Sequence, residues 1–255
     1  MLKDHELFGV RDKVAEAITV LKDLEPVEGY YLAFSGGKDS ITIKQLAIDA
    51  EVKFDAHYSL TTIDPPEIVR FIRKEHPDVI FNFPDKPFLQ RLPENGFPQR
   101  QRRWCCAEYK ENGGAGRIVI TGIRAQESKK RAGRKMIESC YKSGNKRYLN
   151  LIVGWTEEDV WEFIQLRRLP YPILYDQGWK RVGCLFCPMA SNSHRQIERK
   201  LYPRHEALFI KAFERLYAGK DWKKMRTRWG SGREMFEWWI NEKSEGDPDQ
   251  GVLFE

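Results

Sequence analysis

The chain has 255 residues, 41% hydrophobic and 31% charged, with 43 Lys and Arg against 37 Asp and Glu for a net charge of +6. That is enough apolar material for one large α/β domain, or for a domain with an appended piece. No stretch approaches the ~20 apolar residues of a membrane span, and Met1-Leu2-Lys3-Asp4-His5-Glu6 lacks a signal-peptide core, so a cytoplasmic location with no membrane partner is expected.

Val10, Val14, Ala17, Ile18, Leu21 and Leu24 recur at helical spacing until Glu25-Pro26-Val27-Glu28-Gly29 ends the pattern. The apolar run Tyr30 to Phe34 predicts a first strand, which opens into Ser35-Gly36-Gly37-Lys38-Asp39-Ser40 and a helix carrying Ile41, Ile43, Leu46 and Ala47. A second strand is expected over 54–60 and a helix from Pro66 to His76, Pro66 being suited to the first helical turn. Further strands are expected over 79–83, 117–121 and 148–152. Thr156-Glu157-Glu158-Asp159 reads as a capping box opening a helix that Leu169-Pro170-Tyr171-Pro172 stops. From Ser193 the pattern is helical and rich in aromatic and basic residues, with a mobile tail expected over Glu245 to Gly251. Alternation of strands and helices implies α/β architecture: a doubly wound, mainly parallel five-stranded sheet with a helical C-terminal extension and its ligand beyond the strand C-terminal ends.

Ser35 to Ser40 has the chemistry of a phosphate cradle. Gly36 and Gly37 permit a tight turn that points backbone N–H groups inward, Lys38 adds a point charge, and the following helix presents its positive end. A Walker A loop is excluded because Leu32 and Asp39 stand where it needs Gly and Ser or Thr, and no Gly-x-Gly-x-x-Gly occurs. The hexapeptide resembles the PP-loop of the adenine-nucleotide alpha-hydrolases, a group of ATP pyrophosphatases, tRNA-thiolation enzymes and sulfonucleotide reductases.

Positive charge is concentrated: Arg100 to Arg147 holds 14 basic and 4 acidic residues, the footprint of a polyanion, either a polyphosphate nucleotide or a nucleic acid. Four of five cysteines form a set, Cys105-Cys106 and Cys184-x-x-Cys187. In a cytoplasmic chain this two-plus-two grouping points to metal ligation rather than disulfides. Adjacent cysteines strain a single tetrahedral zinc site but can each reach a different iron, so a 4Fe-4S cluster is favoured over Zn. His57, His76, His194 and His205 have no ligand spacing and read as surface or packing residues.

The phosphoadenosine phosphosulfate (PAPS) reductase family is resembled by Gly96-Phe97-Pro98, Arg103-Trp104-Cys105-Cys106, Lys110, Thr121-Gly122-Ile123-Arg124, Glu127-Ser128 and Arg131. Trp155-Thr156, Pro170-Tyr171, Leu174-Tyr175, Gly178 and Gly183-Cys184-x-x-Cys187-Pro188 extend the likeness, which runs with the loop from about residue 30 to 190. It implies a PP-loop domain over 1–190 with the cysteine site and a helical extension over 191–255. By the same likeness Ser35, Gly36, Gly37, Lys38, Asp39 and Ser40, with Gly122, Arg124, Ser128 and Arg131, hold the phosphates or sulfate, and Lys38, Asp39, Arg124 and Arg131 serve catalysis. Asp39 or Asp64 are candidates to hold Mg²⁺, with helix capping the simpler reading of Asp39.

The family's reductases attack sulfur with a cysteine near their C-terminus, whereas the last cysteine here is Cys187. This departure shifts the expectation toward the ATP pyrophosphatases of DNA phosphorothioation, which adenylate an acceptor or support sulfur transfer. Two alternatives stand: an APS or PAPS reductase using a thiol from Cys140 or a partner, and a non-catalytic, redox-sensing nucleotide binder. Cys140 is expected in a polar, mobile loop. Asp221 to Trp229 interleaves aromatics with cations, as nucleic-acid surfaces and snorkelling helix faces both do. Expected partners are an adenine nucleotide and a nucleic acid or sulfur-carrier protein, with a homo-oligomer left open.

Overall fold

The computed structural model describes residues 1–6, 9–140, 145–219 and 228–241. The expected tail over Glu245 to Gly251, and all of the Asp221 to Trp229 run except Arg228 and Trp229, lie outside them. Eight strands are described: β1 Lys3–Glu6, β2 Gly9–Asp12, β3 Tyr30–Ala33, β4 Phe54–Ser59, β5 Ile80–Asn82, β6 Ile118–Thr121, β7 Ile137–Cys140 and β8 Lys146–Asn150. Contacts group the chain into two compact units.

The first unit comprises Met1–Ser59, Pro66–Asn82 and Asn112–Val182. Its sheet has the order β5-β4-β3-β6-β8-β7, parallel throughout except for the antiparallel β7–β8 pair. Six strands therefore replace the expected five. The extra one, β7, follows a run of exposed cations with no alternating apolar pattern, and it places the Cys140 backbone at a strand end rather than in a loop. An antiparallel β1–β2 pair likewise replaces the start of the expected first helix, which runs Lys13–Asp23 because the Asp12 carboxylate accepts from Val14 and Ala15 N–H and caps it there.

Tyr30 and Leu32 of the central strand β3 are fully buried, as suits a parallel strand covered on both faces. The helix Lys38–Asp49 buries Ile41, Ile43, Leu46 and Ala47. The helix Pro66–Glu75 begins at Pro66 as expected. Glu157–Leu166 carries the expected capping box, Thr156 Oγ1 accepting from Asp159 N–H at 3.2 Å and Asp159 Oδ2 from Thr156 N–H at 2.8 Å. From β3 the chain winds outward through β4 to β5, then returns to β6 on the other side of β3. The crevice beyond β3 and β6 is thus a topological switch point, where open α/β sheets bind ligands.

The second unit comprises Leu60–Pro65, Phe83–Glu111 and the described part of Gly183–Glu255. The division differs from the boundary expected at residue 190, because both cysteine pairs group with the C-terminal helices. Long-range aromatic pairing is the physical reason: Phe88 packs against Phe209, and Phe97 stacks on Phe213, contacts that no local pattern encodes. Helices Pro203–Ala218 and Gly232–Asn241 bury Phe209, Phe213, Phe236 and Trp239, and the Trp239 indole N–H donates to Pro98 O at 2.8 Å. Among the described residues no helix is long and apolar enough to cross a membrane.

Candidate functional site

One candidate site lies at the switch point of the sheet. Gly36 adopts φ +73°, a left-handed conformation open to glycine, and a Cβ there would meet Ile72 Cδ1 at 2.9 Å. The turn lets Gly37 cap the helix Lys38–Asp49, so Asp39 sits in its first turn rather than capping it. Ser40 Oγ donates to Gly37 O at 2.8 Å and lies 3.3 Å from Ser35 Oγ, tying the loop shut.

Lys38 is buried, and its ammonium donates to Lys180 O at 3.0 Å, lies 3.4 Å from Glu157 Oε1 and sits over the Tyr175 ring. Its backbone N–H, one of the unpaired donors at the helix start, donates to the Tyr175 hydroxyl at 3.0 Å. Burial pushes the Tyr175 phenol up, against the pull of that amide.

The loop after β6 forms the facing wall. A Cβ on Gly122 would lie 3.0 Å from the Asp39 backbone, so only glycine lets the two chains approach this closely. Buried Arg124 donates through Nε to Asp39 Oδ1 at 2.6 Å. Asp39 thereby serves as counter-ion to Arg124, with Lys38 3.9 Å away. Arg131 pairs with Glu127, whose carboxylate also accepts from Arg124 N–H at 3.0 Å. Burial raises the Glu127 pKa, but Arg131 and these hydrogen bonds outweigh it and hold the carboxyl below its usual value. Ser128 Oγ accepts from Arg131 N–H at 3.2 Å. The structure thus brings Ser35 to Ser40, Gly122 and Arg124 together, while Ser128 and Arg131 are engaged with each other and with Glu127.

The cysteine set lies wholly within the second unit. Cys105 and Cys106 are on the short helix Trp104–Tyr109, and Cys184 and Cys187 flank a turn in which Phe186 adopts φ +55°. That conformation costs on the order of 1 kcal/mol for a non-glycine residue. It is held because Phe186 N–H donates to buried Glu198 at 2.8 Å and its ring packs on Phe209. All four half-buried thiols, none in a disulfide, line one cavity of about 30 Å³ walled mainly by apolar side chains.

Cys106 shares a hydrogen bond with Cys105 and faces Lys110 and Arg103, which holds its thiol down to about 6, while Cys105 is pushed up by the same bond. Burial pushes Cys184 up to about 11 against the attraction of Lys110. Lys110 is raised in turn by Cys184, Cys187 and Asp64. Asp64 belongs to this unit, its carboxylate accepting from Thr61 N–H at 2.7 Å and Oγ1–H at 2.8 Å. Among the described residues no three His, Cys, Asp or Glu side chains are gathered tightly enough for a single metal ion. An all-thiolate donor set around one apolar cavity, with a cation beside it, fits a cluster by its chemistry.

The phosphoadenosine phosphosulfate reductase domain model matches residues 29–190, spanning the loop, Arg124 and all four cysteines. The chain belongs to the PAPS reductase family. An uncharacterized protein of Methanocaldococcus jannaschii is 30% identical over 80% of this chain and 46% of its own length. An adenosine 5'-phosphosulfate reductase of Allochromatium vinosum is 33% identical over 45% of this chain and 45% of its own length. The chain spans about half the length of the curated relatives it matches. A Candida auris PAPS reductase, solved as a phosphate complex, shares the fold with a TM-score of 0.52 and 18% identity, covering 68% of this chain and 89% of its own. A Candida glabrata FMN adenylyltransferase shares it at 0.50 and 13%, covering 68% and 61%.

Tyr175, Glu157, Glu127 and Thr61 had no role assigned from sequence. Tyr175 and Glu127 lie inside family-like motifs, which was the available signal. Glu157 acts through a partner 119 positions away in the chain, Lys38, and no spacing reveals that.

Proposed function

We propose that this PAPS-reductase-family domain binds ATP at Ser35 to Ser40 and transfers its adenylyl group to an oxygen acceptor, or activates that acceptor for sulfur transfer. An acceptor oxygen forms a bond to the α-phosphorus, the bridging bond to the β-phosphate breaks, and the electron pair leaves with pyrophosphate. The observation that carries this reading is the convergence of helix N–H groups, buried Lys38 and buried Arg124 at the switch point. Such preorganised donors stabilise charge developing on a phosphoryl group without covalent protein chemistry. Gly36 and Gly37 let backbone amides approach the phosphates. Lys38 and Arg124 would exchange Glu157 and Asp39 for phosphate oxygens.

Four of this sequence's five cysteines line one cavity, which leaves few thiols for attack on a sulfonucleotide. Cys105, Cys106, Cys184 and Cys187 would hold a 4Fe-4S cluster, which when bound supplies a store for single electrons. The test is anaerobic turnover of ATP, with and without nucleic acid, against turnover of APS and PAPS. Pyrophosphate release that is lost in Lys38→Ala supports adenylation. Sulfite release from a sulfonucleotide with no response to ATP makes the chain a reductase dependent on Cys140 or a partner thiol, and nucleotide binding without turnover of either makes it a regulator.

A further inference from the structure

A second concavity lies in the second unit. It is an open groove of about 590 Å³, and its walls include Asn95, Phe97, Gln99, Arg102, Arg103 and Trp104. Among the described residues those walls hold two guanidiniums, two neutral amides and two aromatic rings, and no carboxylate. Arg102 and Arg103 are exposed, and neither makes a side-chain hydrogen bond or ion pair among the described residues.

The walls are preformed. Gln99 and Arg102 exchange backbone hydrogen bonds of 3.2 Å each way, tying the base of the loop that carries the arginines. The Trp104 indole N–H donates to Gly96 O at 3.0 Å, and its ring stacks on Phe88 with centroids 5.3 Å apart. Phe97 is fixed by stacking on Phe213 and by Trp229 and Trp238 at 6.1 and 5.9 Å. Both wall rings remain half-buried. Arg228 extends the alternation of cation and ring, its guanidinium 5.1 Å from the Trp229 centroid and 4.5 Å from that of Trp238.

We propose that this groove binds single-stranded nucleic acid, with bases against Trp104 and Phe97 and phosphodiesters on Arg102 and Arg103. Aromatic faces accept any unstacked base, and adjacent exposed guanidiniums suit successive phosphates. Duplex bases are already stacked on one another and offer the rings no face. Arg102 and Arg103 also open the most cationic stretch of the sequence, Arg100 to Arg147. The groove belongs to the second unit and the Ser35 to Ser40 loop to the first, and the proposal does not rest on the loop's chemistry.

The experiment is fluorescence anisotropy on the full chain, using fluorescein-labelled oligothymidylate and oligouridylate of about 12 nucleotides and a hairpin duplex across a salt series. Tight binding to the single strands and weaker binding to the duplex are expected. Arg102→Glu with Arg103→Glu lowers affinity more than tenfold. Loss of two phosphate contacts flattens the log–log salt slope by about 1.4. Arg102→Glu alone, at an exposed side chain, gives the same readout at about half that slope change should the double variant fail to fold. Lys38→Ala retains binding. Unchanged affinity in the arginine variants, equal affinity for duplex, or loss of oligonucleotide binding in Lys38→Ala each overturns the proposal.

Discussion

Tyr175→Phe separates two states of the phosphate loop. The phenol oxygen accepts the Lys38 N–H at 3.0 Å, the same donor that a phosphate at the helix start would engage. Replacing Tyr175 by Phe keeps the ring beneath the Lys38 ammonium, whose centroid distance is 5.3 Å, and removes only the acceptor. A net hydrogen bond of this kind contributes about 0.5–1.5 kcal/mol, so the unliganded protein loses about 1 kcal/mol of stability. The anion no longer has to displace the hydroxyl, so the same free energy returns as tighter binding. At 1.36 kcal/mol per decade the gain is about 2- to 12-fold. Calorimetric titration with pyrophosphate and with ATP, paired with thermal melts, reads both quantities. Weaker anion binding in Tyr175→Phe would refute the reasoning, since it would mean the hydroxyl contacts the ligand rather than standing in its place.

Gly36→Ala should lower the melting temperature by several degrees and abolish nucleotide binding, because φ +73° is strained for alanine and its Cβ would press on Ile72; Gly154→Ala, with nothing within 4 Å of the added carbon, is the melting control. Burial and the Lys44 ammonium depress His76 from 6.5 to about 4, so the unfolded chain binds the extra proton between those values. Stability is therefore complete above about pH 6.5 and falls by about 3 kcal/mol as pH drops toward 4. Urea titrations across that window check it, and His76→Gln should flatten the slope. Cys106→Ser and Cys184→Ser should each strip iron and acid-labile sulfide from anaerobically purified protein. Zinc without iron in the wild-type chain would dismiss the cluster.

The phosphate loop was legible because its chemistry is local: a buried strand, two glycines, a lysine and a helix follow one another in sequence. Arg124 was legible only through family likeness, since its partner Asp39 is 85 positions away. The capping box at Thr156 and the helix start at Pro66 were visible for the same local reason as the loop. Strand β7 was hidden, since Ile137 is its one large aliphatic residue and it owes its conformation to pairing with β8. The second unit was hidden because it is built from three separated stretches joined by aromatic contacts such as Phe88 with Phe209. The counter-ions of Lys38 and Arg131 escaped sequence reading because acidic residues are common, and which of them faces a cation is decided by tertiary packing.

The interleaving of that unit also has a temporal side. Cys105 and Cys106 leave the ribosome 78 positions before Cys184, about 4 to 16 s at ordinary rates of translation. Every strand of the six-stranded sheet is complete by Asn150, so the nucleotide-binding scaffold can form on the nascent chain while two thiols still wait for their partners. Completion of the four-thiol cavity is therefore a late event in biogenesis, set by synthesis of the Gly183-to-Cys187 turn rather than by folding of the sheet.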